Sequence, residues 1–224
     1  MRLIEREAIP RRNCVVFFII QTSGGMHGMM VESINQAMNE ALCDLKALQN
    51  EYPDAQIQIA VLRFSSCAEW CLLPTDVENA EWASLYADGL NCFGAVCDSL
   101  NSKLSRVEFM NSPSGYYAPI IIPVVKGEPC DDYQRSIERL RNNKWFDSAL
   151  KAAVLLSDYG DETEDEIYDD WLTHFTGAKE AVLKVETPNM LGGHFSSKLI
   201  KSIRVALKAS VRASMGKAVD YRRY

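Results

Sequence analysis

The chain has 224 residues, 47% of them hydrophobic and 24% charged, with a formal net charge of −6. That balance belongs to an ordinary globular protein and excludes a disordered, collagenous or disulfide-miniprotein chain. The excess of acid over base argues against nucleic-acid binding across the surface, and no apolar run approaches the ~20 residues of a membrane-spanning helix.

Cys14 to Ile20, CVVFFII, is a continuous β-branched and aromatic run that predicts a central parallel strand buried on both faces. A turn of small residues follows, Gln21-Thr22-Ser23-Gly24-Gly25. From Val31 to Gln49 the apolar residues Ile34, Ala37, Met38, Ala41, Leu42, Leu45 and Leu48 keep helical spacing. After Pro53, Gln56 to Phe64 reads as a second strand, Ser65-Ser66 as a tight turn, and Cys67 to Leu73 as an antiparallel edge strand. Gly89 to Leu104 predicts a loop entering a helix. Pro119 to Val125, PIIIPVV, predicts another buried strand, although Pro123 cannot donate to a ladder. Asp131 to Arg141 predicts a helix, with Asp131 or Asp132 placed favourably for its dipole. A strand over Ala149 to Leu156, a short helix over Asp165 to Phe175 and a last strand over Ala181 to Val185 complete the alternation. A final helix, capped by Ser196 or Ser197, has the stripe Leu199, Ile203, Leu207 and Val211. Strands alternating with helices imply an α/β fold: a Rossmann-like doubly wound, mostly parallel sheet with one antiparallel edge. With no repeat or linker, residues 1–224 read as a single domain, with its core at about 10–214 and a basic helix and tail at 194–224.

The charge is polarised. His194 to Tyr224 carries eight basic side chains against the single acid Asp220, a net +7, so the preceding residues carry −13. The densest acidic stretch runs from Asp158 to Asp170. A solvated loop and a charged final helix covering the sheet account for this pattern. Attraction between the tail and an acidic surface, or a basic amphipathic helix on a membrane, are the sharper alternatives. The N-terminal MRLIEREAIPRRN is charged where a signal peptide would be apolar, and seven cysteines are irregularly spaced. Both features predict a cytoplasmic chain with reduced thiols.

In an open parallel sheet, ligands bind beyond the carboxyl ends of the strands. Three loops should meet there: Gln21 to Gly25, Gly89 to Gly94 and Lys126 to Cys130. FFIIQTSGGMHGMMVESINQAM resembles the first strand, loop and helix of von Willebrand factor A (VWA) domains, whose loop pattern is Asp-x-Ser-x-Ser. DGLNCFGAVCDSL resembles the family's Gly-Gly-Thr-x-Leu-Gly-Ala-Ala segment, and VVKGEPCDDYQRSIERL its Thr-Asp-Gly-Glu-Pro-Thr-Asp loop. NNKWFDSALKAAVLLSDYGDE and FTGAKEAVLKVETPN resemble one branch, the cytosolic bacterial proteins associated with tellurium resistance and stress response. The resemblance spans about Pro10 to Ser214.

The resemblance implies a metal-ion-dependent adhesion site in which a divalent ion accepts a partner's carboxylate. Its first Asp falls on Gln21, its two Ser on Ser23 and Gly25, its Thr on Asn91 and its second Asp on Lys126. Only Ser23 matches. Mg²⁺ wants hard oxygen donors, usually with a carboxylate; Lys126 has no acceptor. At an effective dielectric near 20, two unit charges ~4 Å apart interact by about 4 kcal/mol, and a divalent ion doubles that. The expectation is therefore a degenerate, metal-free site without cofactor, in which Lys126 either meets a carboxylate or phosphate directly or only marks the lost metal, reaching solvent or pairing with Glu128 or a nearby acid, with Gln21, Ser23, Gly25, Asn91, Lys126 and Glu128 forming the partner surface. The resemblance implies a non-enzymatic protein-binding module, with a Ser/Thr kinase or metal-dependent (PP2C-type) phosphatase as partner, and neither nucleic acid nor membrane.

Three alternatives stay open. One is an adhesion module with weak Mg²⁺ binding through Ser23, Asn91 and Glu128. Another is a hydrolase with Lys126 as base, although no G-x-S-x-G, P-loop or H-E-x-x-H motif is present. The third is a self-associating structural subunit. Zinc is disfavoured, because Cys67/Cys71 and Cys92/Cys97 lack a neighbouring His and the spacing of structural sites. Cys67 and Cys71 share a strand face and are expected in a core.

Overall fold

The computed structural model describes residues 11–53, 55–158 and 170–187, together with positions 201, 205, 212 and 213. Strand β1, Arg12–Gln21, is buried from Cys14 onward. Its side chains alternate between two cores, as the two-residue period of a strand requires. Cys14, Val16, Phe18 and Ile20 pack with the apolar stripe of α1 (Met29–Glu51). Val15, Phe17 and Ile19 pack on the opposite face with α2 (Phe93–Lys103), α3 (Tyr133–Arg141), α4 (Lys144–Ser148) and a helical segment at 170–176, α5. Burying a side chain of this size contributes about 1.5–3 kcal/mol, so an unbroken apolar run is what a strand covered on both faces needs.

Beside β1 lie β2 (Ala55–Phe64) and β4 (Ile120–Lys126), both parallel to it. The sheet runs β3-β2-β1-β4-β6-β7, where β3 is Ala68–Asp76, β6 is Ala153–Asp158 and β7 is Val182–Thr187. Strand β5, Leu150–Lys151, adds a short pairing to β4. Every pairing is parallel except that of the edge strand β3 with β2. The architecture is the expected α/β layer fold with one antiparallel edge. The chain moves outward through β2 and β3 on one side of β1 and through β4, β6 and β7 on the other. The carboxyl ends of β1 and β4 therefore flank the switch point, where a crevice opens.

Helix α1 outruns its predicted span by two residues at each end. Gln49 explains its exit. Buried near the helix end, it accepts from Ile57 N (2.8 Å) and donates to the carbonyls of Ala55 (2.8 Å) and Tyr52 (3.3 Å), clamping the turn into β2.

Two expectations are corrected and one element is added. The single strand over Ala149 to Leu156 is two, β5 and β6, interrupted at Ala152. Pro123 sits opposite that interruption, between the Ile121↔Lys151 and Val124↔Val154 pairings, where a missing donor is tolerated. Helix α4 was not foreseen; the Asn143 side chain caps it by accepting from Trp145 N (2.9 Å) and Phe146 N (3.3 Å). Cys67 and Cys71 are exposed, Cys67 in the turn before β3, because that edge strand has solvent on one face. The acidic stretch at 159–169 lies outside the described residues. So does the predicted final helix, apart from positions 201, 205, 212 and 213, which are helical. No helix among the described residues is long and apolar enough to cross a membrane.

Candidate functional site

Backbone hydrogen bonds stitch together the loops at the carboxyl edge of the sheet. Thr22 N donates to Phe64 O (2.7 Å), joining the end of β1 to the end of β2, and the Thr22 hydroxyl reaches the same carbonyl (3.1 Å). Asp88 N donates to Thr22 O (2.6 Å) and Gly24 N to Gly89 O (2.8 Å), which binds the β1–α1 turn to the loop before α2. Cys130 N donates to Asn91 O (2.8 Å), which binds that second loop to the one after β4. Gly89 has a backbone requirement: its φ is +80°, and a Cβ would lie 2.7 Å from Ser66 Oγ.

Within this frame the three loops named from the sequence converge. Gln21 is buried at the end of β1 and uses both ends of its amide. Its Nε2 donates to Ser23 Oγ (2.7 Å) and its Oε1 accepts from Lys126 N (2.7 Å). Ser23 is also buried and precedes a single 3₁₀ turn, Gly24–Met26. Gly25 is exposed, and a Cβ there would meet nothing nearer than Ser23 Oγ at 4.0 Å. Asn91 donates through Nδ2 to the carbonyls of Glu128 (3.1 Å) and Lys126 (3.4 Å). Lys126 ends β4 half-buried. The Glu128 carboxylate faces solvent and accepts from the Tyr133 hydroxyl (2.7 Å). Burial first, and then that carboxylate, push the Tyr133 phenol up to about 12.

Asp131 has a role that the sequence reading missed. Asp131 and Asp132 do precede α3, Asp132 as its N-cap residue, where the sequence places an acid favourable to the dipole, although no side-chain cap bond forms there. Asp131 Oδ2 instead accepts from Gly94 N (2.8 Å) in the first turn of α2, where a carboxylate complements the unpaired N–H groups. The approach is tight, since a Cβ on Gly94 would lie 2.7 Å from that oxygen. The signal was present: Asp131 falls on the last Asp of the Thr-Asp-Gly-Glu-Pro-Thr-Asp pattern. Two oxygens in this cluster, Asn91 Oδ1 and Asp131 Oδ1, are buried without a hydrogen-bond partner.

The aromatic core lies under these loops. Phe93 packs edge-on against Phe64 (centroids 5.5 Å apart), Trp171 (4.8 Å) and Phe175 (5.2 Å), and Tyr133 packs against Trp171 (5.8 Å). Each such pair contributes about 0.5–1.5 kcal/mol beyond its burial. Among the described residues, no group of three or more His, Cys, Asp or Glu side chains is placed to hold a metal ion.

No protein-family model matches the chain, and no curated protein does. Solved structures do. A von Willebrand factor type A protein from Catenulispora acidiphila superposes with a TM-score of 0.54 at 18% identity, over 93% of this chain and 44% of its own. The pilus adhesin SpaC from Lactobacillus rhamnosus GG gives 0.66 at 10% identity, over 91% of this chain and 30% of its own. Proximal thread matrix protein 1 from the mussel byssus, in a structure with a zinc-occupied MIDAS motif, gives 0.60 at 11% identity, over 88% of this chain and 48% of its own. This chain spans about half or less of each of these three proteins. At these identities the likeness is one of fold: the chain has the mostly parallel α/β architecture of VWA-like domains.

Proposed function

We propose that the chain is a non-enzymatic protein-recognition module whose contact surface is the loop cluster carrying Gln21, Ser23, Gly25, Asn91, Lys126 and Glu128, and that it engages an acidic or phosphorylated group without a bridging metal. The fold supports the general part of this reading, since VWA-like neighbours include an adhesin. The amide of Gln21 carries the metal-free part. Where the resemblance puts a carboxylate, this side chain spends its donor on Ser23 and its acceptor on the Lys126 backbone. A direct internal link thus joins the two loops that a metal would otherwise bridge. The donors left over do not fit a divalent ion. Asn91 Oδ1 is a neutral amide oxygen, and the rest are shared: Asp131 with Gly94 N, Ser23 Oγ with the Gln21 amide and the exposed Glu128 carboxylate with the Tyr133 hydroxyl.

Lys126 supplies the charge that favours an anionic partner group, as a point cation suits a carboxylate or phosphate. By the resemblance to the tellurium-resistance branch, a bacterial cytoplasmic Ser/Thr kinase or metal-dependent phosphatase is the first partner to test. The experiment is affinity capture from the native cell extract with the full chain as bait, in Mg²⁺ and in excess EDTA. Capture should be equal in the two buffers and fall about tenfold or more with Lys126→Glu, the worth of a charge-assisted contact. Capture that needs Mg²⁺ and is lost in Ser23→Ala would overturn the reading.

A further inference from the structure

Cys92 and Cys130, far apart in sequence, come together at the rim of this loop cluster. Their Sγ atoms are 3.9 Å apart, and both are free thiols. Cys92 immediately precedes α2 and is partly exposed; Cys130 lies in the β4–α3 loop and is exposed. The proximity is built in by the hydrogen bonds on either side. Cys130 N donates to Asn91 O, and Asn91 Nδ2 donates to Glu128 O, so the backbone next to each thiol is clamped to the other loop. By contrast, Cys14 and Cys97 are sealed in the two cores.

We propose that Cys92 and Cys130 form a reversible dithiol–disulfide site that reacts with low-molecular-weight disulfides of the glutathione type. Closing the bond brings the sulfurs from 3.9 Å to about 2.0 Å, a change within reach of rotations about the Cα–Cβ bonds of two short side chains. The bond would staple the start of α2 to the β4–α3 loop.

Cys130 reacts first, being the more exposed. Its thiolate attacks one sulfur of the small disulfide, that S–S bond breaks, and one small thiolate leaves and takes a proton from solvent. Cys92 then gives its proton to solvent and attacks the Cys130 sulfur, expelling the second small thiol. Two protein thiols are oxidised to one disulfide while one small disulfide is reduced to two thiols. Burial first, and then the neighbouring Cys130 thiol, push Cys92 up to about 11. The second step is therefore the slow one near neutrality and accelerates with pH.

This site stands apart from the recognition reading and is tested without a partner. The reduced full chain is incubated with oxidised glutathione in mildly alkaline buffer and followed by intact mass and non-reducing peptide mapping. The wild type should yield a Cys92–Cys130 linked peptide two hydrogens lighter than the reduced pair, beside any separate adducts on the exposed Cys43, Cys67 and Cys71, and should revert with dithiothreitol. Its Tm should rise by about 5 °C or more, because the bond closes a long loop. Cys92→Ser should keep a stable glutathionyl group on Cys130, whatever adducts the exposed Cys43, Cys67 and Cys71 take, and Cys67→Ser should still cross-link. A stable glutathionyl adduct on wild-type Cys130, a cross-link through another cysteine, or no reaction at either thiol would overturn the proposal. The wild-type map decides even if a variant folds poorly.

Discussion

Replacing Gln21 by leucine tests whether its amide is a structural link. The substitution roughly preserves volume and removes only the polar end. Gln21 is 2% exposed and makes two short hydrogen bonds, to Ser23 Oγ and from Lys126 N, both 2.7 Å. The Lys126 N–H loses its acceptor and cannot turn elsewhere, because the backbone of β4 is fixed by its pairing with β1 and β6. Losing the acceptor of this part-buried N–H costs about 1–3 kcal/mol, and the lost bond to Ser23 about 1 kcal/mol more. The expected destabilisation is therefore about 2–4 kcal/mol. With a urea m-value of about 2–3 kcal/mol/M, the unfolding midpoint should drop by about 1 M while m stays constant. Urea titrations followed by tryptophan fluorescence read both parameters. A midpoint within about 0.2 M of wild type would show that the link contributes nothing, and would remove the structural basis for metal-free joining of the loops.

Other outcomes follow from the same contacts. Asp131→Ala should cost about 1–2 kcal/mol by leaving the first turn of α2 uncapped, whereas Asp131→Asn keeps an acceptor for Gly94 N and should cost less; thermal unfolding distinguishes them. Gly94→Ala should destabilise the wild type, since the new Cβ would stand 2.7 Å from Asp131 Oδ2, and should cost much less in an Asp131→Ala background, a coupling that a double-mutant cycle measures. Gly25→Ser should change stability by less than about 0.5 kcal/mol, because the site is exposed and open. Tyr133 has its proton held more tightly in the folded chain, so its contribution is fully present below about pH 10 and is lost as pH rises through about 12. Tyr133→Phe should flatten the alkaline fall in stability, and an unchanged slope would contradict that assignment.

The sheet was legible because its strands are extreme. CVVFFII can satisfy its apolar side chains only between two layers, and the Ser65-Ser66 turn after Phe64 marks the chain's return as an antiparallel edge strand. The helix stripe of α1 was equally plain. Less legible were features set by single hydrogen bonds. Nothing in ALKAAVLLSD marks the interruption at Ala152 that separates β5 from β6 opposite Pro123. In the site, residue types alone showed that Lys126 cannot ligate a metal, and the loops that the sequence named do converge. They could not show that both ends of the Gln21 amide are occupied, that Asp131 reaches the first turn of α2, or that Cys92 faces Cys130 rather than Cys97. Those facts depend on loop-to-loop distances, which no local pattern encodes.

Calorimetric titration of the full chain with Mg²⁺ and with Mn²⁺ tests most directly whether recognition here dispenses with a metal. The wild type should give no saturable heat in the submillimolar range, and Gln21→Asp/Lys126→Asp, which supplies two carboxylates at the ends of β1 and β4, should gain binding. Submillimolar binding by the wild type that disappears in Ser23→Ala would contradict the account.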